Sequence, residues 1–209
     1  MNLLNVLCIV AHPDDEILGC GGTLKKHVDN GDKVLVVIMS TGGREVDLKT
    51  EAFLASKIIG CNLSFENYPD QGFDTVPILD IIQSIEQYIK VCKPDIIYTH
   101  SQHDLNKDHR IIFEAVLTAA RPCNSHLVNE IYSFDVLSST EWGFTAFKPQ
   151  MFVEIDIDKK ILAMDCYKSE LRGYPHPRSW QIIKDKASVN GSIVLKNYCE
   201  TFEIVRIIK

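Results

Sequence analysis

Val6-Leu7-Cys8-Ile9-Val10-Ala11-His12-Pro13-Asp14-Asp15-Glu16 turns abruptly from an unbroken apolar run into a cluster of titratable side chains. Consecutive apolar residues without alternation read as a strand buried on both faces. Pro13 and the carboxylates after it suit the first turn of a helix, whose macrodipole favours negative charge. That helix is expected over 15–30, with Gly31 in the place of a C-cap. A buried strand feeding straight into a helix is the first half of a βαβ unit, so this stretch predicts a parallel sheet.

Working outward, the alternation repeats. Residues 33–39 form a second apolar run, 49–59 a helical pattern stopped by Gly60, and 63–68 a weaker strand. Ile78, Ile81, Ile82, Ile85 and Ile89 recur at helical spacing and predict an amphipathic helix over 76–92. Residues 95–99 read as a fourth strand after Pro94, and 111–120 as a helix stopped before Pro122. The predicted class is therefore α/β: a Rossmann-like, mostly parallel sheet with helices on both faces. The last third breaks the alternation. Residues 131–136, 152–157 and 202–208 read as strands, 159–171 as a helix and 138–150 as a loop, a C-terminal α+β elaboration. No linker, repeat or low-complexity tract divides the chain, so 1–209 are expected to form a single domain.

Composition narrows the function. With 45% apolar and 24% charged residues, the 209-residue chain has an ordinary globular balance, which excludes disorder, collagen and coiled coil. Its net charge of −6, with no basic run, argues against nucleic acid as a partner. The seven cysteines are odd in number and scattered, with no CxxC pair. They read as free thiols in a reducing compartment. No apolar stretch approaches the ~20 residues of a membrane span. The run 3–11 lacks the basic flank of a signal peptide, so the expected location is cytoplasmic.

In an open parallel sheet, ligands bind beyond the carboxyl ends of the strands. There the sequence places His12 to Glu16, then Ser40 to Arg44, then Pro69-Asp70, then His100 to Arg110. His12 and a carboxylate three residues on can offer nitrogen and oxygen to one borderline ion such as zinc. Asp14 would then keep a free carboxylate beside it, as a general base requires. A third ligand is expected from His100, His103 or His109, among which spacing does not choose. Helix capping explains the acidic residues alone but not His12. Gly19-Cys20-Gly21-Gly22 lacks the order of a dinucleotide fingerprint and reads as small residues allowing close packing. Trp142 and Trp180 read either as sugar-stacking platforms or as surface packing.

The run Ala11-His12-Pro13-Asp14-Asp15-Glu16, followed by Gly19, Gly21-Gly22-Thr23-Leu24, resembles the LmbE-like, or PIG-L, family of metal-dependent N-deacetylases. The resemblance continues at Asp104-Leu105-Asn106-Lys107-Asp108-His109-Arg110, at His176-Pro177-Arg178-Ser179 and at Glu200-Thr201-Phe202, in the family's order. It implies a hydrolase that removes the N-acetyl group from an amino sugar, free or carried on a nucleotide or lipid, in glycan, glycoconjugate or antibiotic biosynthesis. It implies His12, Asp15 and His109 as ligands of Zn2+, or of another first-row divalent ion, with Asp14 as general base. Many members carry His where this chain has Asn106, so Asn106 is the candidate oxyanion donor and His176 a candidate acid. Leu48 stands where relatives usually have Arg, which makes Arg44 the candidate substrate-binding cation. Asp70, Asp104 and Arg178 are further candidates to bind substrate, with His176 and Arg178 reaching the pocket in cis or across a homo-oligomer interface. The competing expectations are an amidase on a glucosamine-linked thiol conjugate and a metal- or sugar-binding protein without turnover. A pure binder has no need of the unligated Asp14.

Overall fold

The computed structural model describes residues 3–41 and 47–209. The candidate substrate-binding Arg44 lies outside the described residues. Among the described residues, seven strands form one mixed sheet, flanked by helices on both faces. In chain order they are β1 (Asn5–Val10), β2 (Lys33–Ser40), β3 (Asn62–Tyr68), β4 (Ile96–His100), β5 (Glu130–Phe134), β6 (Met151–Glu154) and β7 (Cys199–Ile207). The spatial order is β3-β2-β1-β4-β5-β7-β6. Neighbours from β3 to β5 pair in parallel, whereas β7 runs antiparallel to both β5 and β6. The chain winds outward from β1 through β2 to β3, then returns to lay β4 on the other side of β1. The gap between β1 and β4 is thus the topological switch point, where ligands of open α/β sheets bind.

Alternate residues of β1 enter opposite cores. Val6, Cys8 and Val10 join the core under helices α1 (Asp15–Asp29), α2 (Leu48–Ile59) and α5 (Ile157–Met164). Leu7 and Ile9 join the other, under α3 (Ile78–Cys92) and α4 (Lys107–Ala119). Burial on both faces is why the strand shows no apolar–polar alternation. A sixth helix, α6 (Trp180–Ile193), packs near β7. It is absent from the sequence expectation for a physical reason. Its buried residues are Ile183, Ala187 and Gly191, a narrow stripe of mostly small side chains that gives little periodic signal. Other boundaries shift too. Helix α4 starts at Lys107 because Asn106 caps it, α5 stops at Met164 well before residue 171, and β6 ends at Glu154.

Helix α1 lies close to the sheet. A Cβ on Gly19 would come within 2.2 Å of the Phe134 ring, and one on Gly22 within 2.7 Å of Ile155. The helix breaks at Cys20 (φ −142°, ψ 17°), which frees backbone groups in a buried place. A buried ion pair satisfies them. Lys160 Nζ donates to the Leu18 carbonyl at 2.8 Å and to Glu200 Oε1 at 2.7 Å. Glu200 in turn accepts from the backbone N–H groups of Gly22 (2.9 Å) and Thr23 (2.7 Å). The carboxylate therefore caps the second half of the helix from a strand some 180 residues away in sequence. No helix among the described residues is long and apolar enough to cross a membrane.

Candidate active site

His12 follows β1, and β4 ends in His100, so the two strands at the switch point each deliver an imidazole. His100 is fully buried and its Nε2 accepts the Ala11 N–H at 2.9 Å, tying the ends of β1 and β4 together. Burial, reinforced by the neighbouring His109, holds His100 down to about 3. It is thus neutral and stacks on the His109 ring, centroids 3.9 Å apart. His109 comes from the first turns of α4. Asp15 opens α1 and accepts the His12 N–H at 2.8 Å.

Three atoms meet here. His12 Nδ1, His109 Nε2 and Asp15 Oδ2 lie at 3.3 Å from one another along all three edges. Ligands at about 2.0–2.1 Å from a tetrahedral ion are separated by roughly 3.3–3.4 Å, so the triangle has the size of one face of such a site. Asp15 Oδ1 is buried with no hydrogen-bond partner, a costly state for a carboxylate unless a cation shares the group. On both counts the residues fit a divalent ion. The crowding of charge also displaces titration. Burial opposes the charge on His12, but Asp108, Asp15 and Asp70 outweigh it and hold the imidazole up to about 10. Burial likewise opposes charge on His109, which Asp15 and Asp104 hold up to about 9. Against its own burial, Asp15 is held well below the usual carboxylate range by the charge of His109 and by hydrogen bonds from His109 and His12.

Each of the two converging histidines has a carboxylate behind it. His12 Nε2 lies 3.1 Å from Asp108 Oδ2, whose other oxygen accepts the Phe73 N–H at 3.1 Å. His109 Nδ1 lies 3.1 Å from Asp104 Oδ2. Asp104 is held by the hydroxyls of Ser139 and Thr140. Carboxylates in this position fix ring orientation and raise ligand basicity. Asp108 was missed by sequence reasoning, because an Asp in the first turn of a helix reads as a macrodipole residue. The signal available was its place beside His109.

Asp14 stands apart from the triangle but next to it. Its backbone has φ 100°, a left-handed conformation that costs a non-glycine residue roughly 1–3 kcal/mol. Its N–H donates to Glu16 Oε2 at 3.1 Å, and Glu16 is anchored by the Tyr167 hydroxyl. The loop therefore turns Asp14 away from the helix and toward a pocket of about 90 Å³. Burial pushes the Asp14 carboxyl well above its usual range, and the Arg178 guanidinium opposes that shift. Arg178 Nη1 lies 2.7 Å from Asp14 Oδ2 and 2.8 Å from Glu170 Oε2, while Nε donates to Ser138 Oγ at 2.7 Å.

The pocket wall includes His12, Asp14, Asp70, Asn106, His109 and Arg178. Asp70 Oδ1 is 3.3 Å from His12 Nε2. Asn106 Oδ1 accepts the Asp108 N–H at 2.9 Å and so caps α4. That bond fixes the amide plane and leaves its N–H2 without a hydrogen bond to any described residue. Arg178 reaches the wall from this same chain. Two expected residues are elsewhere among the described residues. Asp104 sits behind His109, 2% exposed. His176 is off the wall and accepts the Arg178 N–H on Nδ1 at 3.1 Å.

Known proteins are similar to this chain in sequence and in fold. The model for PIG-L, GlcNAc-PI de-N-acetylase, matches residues 7–120, which include the three converging side chains and Asp14. The uncharacterized deacetylase YaiS of Escherichia coli K12 is 29% identical over 177 residues, covering 78% of this chain and 90% of its own. Diacetylchitobiose deacetylase of Thermococcus kodakarensis is 28% identical over 188 residues, covering 79% and 69% respectively. Among solved structures, the conserved protein TT1542 of Thermus thermophilus superposes with a TM-score of 0.83 at 21% identity, over 99% of this chain and 97% of that one.

Proposed function

The chain belongs to the PIG-L family, and from that premise we propose that it is a zinc-dependent hydrolase that removes the acetyl group from an N-acetylated amino sugar. The observation that carries the reading is the 3.3 Å triangle of His12, Asp15 and His109 with a separate, buried carboxylate, Asp14, beside it. His12, Asp15 and His109 would hold the ion. Once bound, it supplies Lewis acidity, polarising the amide carbonyl and acidifying water.

The chain's own residues supply the rest. Asp14 takes a proton from the water whose oxygen attacks the acetyl carbon. When the C–N bond breaks, the same carboxyl returns the proton to the departing amine, leaving acetate and a free amino sugar. Arg178, bonded to Asp14, keeps that carboxylate oriented and favours its ionised form. The N–H2 of Asn106, a residue of the pocket wall, donates to the oxyanion as charge develops there. Asp70 accepts a sugar hydroxyl at the pocket wall. Asp104 and Asp108 hold the two imidazoles in place. The site lies within residues 12–178 of what we take to be one domain, and a monomer can assemble it.

The test is release of acetate and primary amine from a panel of free, nucleotide-linked and lipid-linked N-acetyl sugars. Equimolar acetate and amine from at least one class supports the reading. Saturable binding of zinc and sugar with no turnover anywhere in the panel favours a binding protein and overturns it.

A further inference from the structure

A second cavity, of about 230 Å³, lies at the end of the sheet opposite the catalytic pocket. The last turns of α1, the first residues of β4 and β5, and β6 wall it, whereas Asp15 and His100 stand at the other ends of α1 and β4. No step of the proposed reaction uses it. Its apolar surface comes from Ile96, Met151, Val153 and two tyrosines, Tyr98 and Tyr132. The tyrosines are partners across the β4–β5 pair, and their rings stack with centroids 5.6 Å apart.

Every hydroxyl among the described wall residues donates into the protein. Asp32 Oδ2 lies 2.7 Å from His27 Nδ1 and, as a carboxylate, accepts from it. On the neutral ring Nε2 is then the acceptor, and the Tyr98 hydroxyl, 3.0 Å away, donates to it. Tyr132 donates to Glu130 Oε2 and Thr23 to Glu200 Oε2, each at 2.6 Å. Burial holds both phenols above their ordinary range, so both keep these hydrogens. Lys26 directs its ammonium to the Glu154 carbonyl at 3.1 Å. What remains on these groups is acceptor capacity: the lone pairs of two phenol oxygens and of the Glu130 carboxylate.

We propose that this cavity is a binding site for a planar heteroaromatic molecule that carries an N–H donor. Tyrosine rings pair with a flat aromatic ring in stacked or edge contact. An apolar cavity of about 150 Å³ holds benzene, so this one takes a fused two-ring system. Acceptors with no hydroxyl donor to spare select an N–H over a ring oxygen, and a ligand carboxylate would meet Glu130. An aliphatic chain would desolvate the phenol oxygens and give them nothing to bond, a penalty that an N–H removes.

The test is calorimetric titration of the full chain with indole and with benzofuran, which has the same shape but an oxygen in place of the N–H. Indole should bind saturably at one site per chain. Benzofuran should bind about fivefold or more weakly, the weight of one net hydrogen bond. Val153→Trp and Met151→Trp fill the cavity from half-buried positions on β6, and each should abolish indole binding. On the wild type, the backbone amides of Ile96, Tyr98 and Tyr132 should shift in NMR spectra as indole is added, which places the ligand even if a variant fails to fold. None of these readouts depends on turnover. No saturable binding up to millimolar indole, benzofuran binding as tightly as indole, undiminished binding in folded tryptophan variants, or amide shifts confined to other parts of the chain would each overturn the site.

Discussion

Asn106→Ser isolates one atom group of the proposed mechanism. In the proposed reading Asn106 does two things with one amide. Its oxygen accepts the Asp108 N–H at 2.9 Å, and its N–H2, on a residue of the pocket wall, is bonded to no described residue. Serine is as good an N-cap as asparagine, so Asn106→Ser keeps the first role, whereas Asn106→Ala removes both. Losing the cap costs about 1 kcal/mol, which in a chain of this length lowers Tm by about 2–4 °C. Losing an oxyanion donor costs about 10²–10³ in kcat with little change in KM. The expected pattern is therefore kcat reduced on the order of 10²–10³-fold in both variants, with Tm lowered in Asn106→Ala only. Acetate release and thermal unfolding, measured on the same two preparations, read both quantities. A serine variant with near-normal kcat would refute the oxyanion role and leave Asn106 as a cap.

Asp14→Asn should retain bound metal while turnover falls roughly 10²–10⁴-fold, whereas Asp15→Asn and His109→Ala should lose metal as well, as elemental analysis would show; equal metal loss from Asp14→Asn and Asp15→Asn would erase the division between base and ligand. Because Arg178 opposes the upward push of burial on Asp14, Arg178→Gln should move the acidic limb of the kcat/KM–pH profile to higher pH, and an unmoved limb would separate Arg178 from the base. Glu200→Ala should destabilise the fold by about 3–5 kcal/mol, since it strands Lys160 buried and uncaps the broken α1. Urea unfolding checks this, and a loss under about 1 kcal/mol would mean that the pair contributes only local order.

Strand and helix alternation made the parallel half of the sheet legible, because burial on both faces leaves continuous apolar runs such as Val6 to Ala11. The strand ends then pointed to His12 and the loop after His100. Spacing went no further, since the choice among His100, His103 and His109 depends on how α4 turns back toward β1. The family resemblance singled out His109, and the geometry brings it to His12 and Asp15 while burying His100 against the Ala11 N–H. What the sequence concealed rests on long-range partners. Helix α6 lacks a broad apolar face, and the break at Cys20 is intelligible only with Lys160 and Glu200 in place. The pairing of Asp14 with Arg178 joins residues 164 positions apart, and no local pattern encodes it.

Metal stoichiometry bears most directly on the proposed activity. Protein purified without a metal-binding tag, stripped with a chelator and titrated with zinc, is assayed for acetate release from an N-acetyl sugar that it hydrolyses. Activity should be absent in the stripped protein and should rise linearly to a break at one ion per chain. Full activity in the metal-free protein would contradict it.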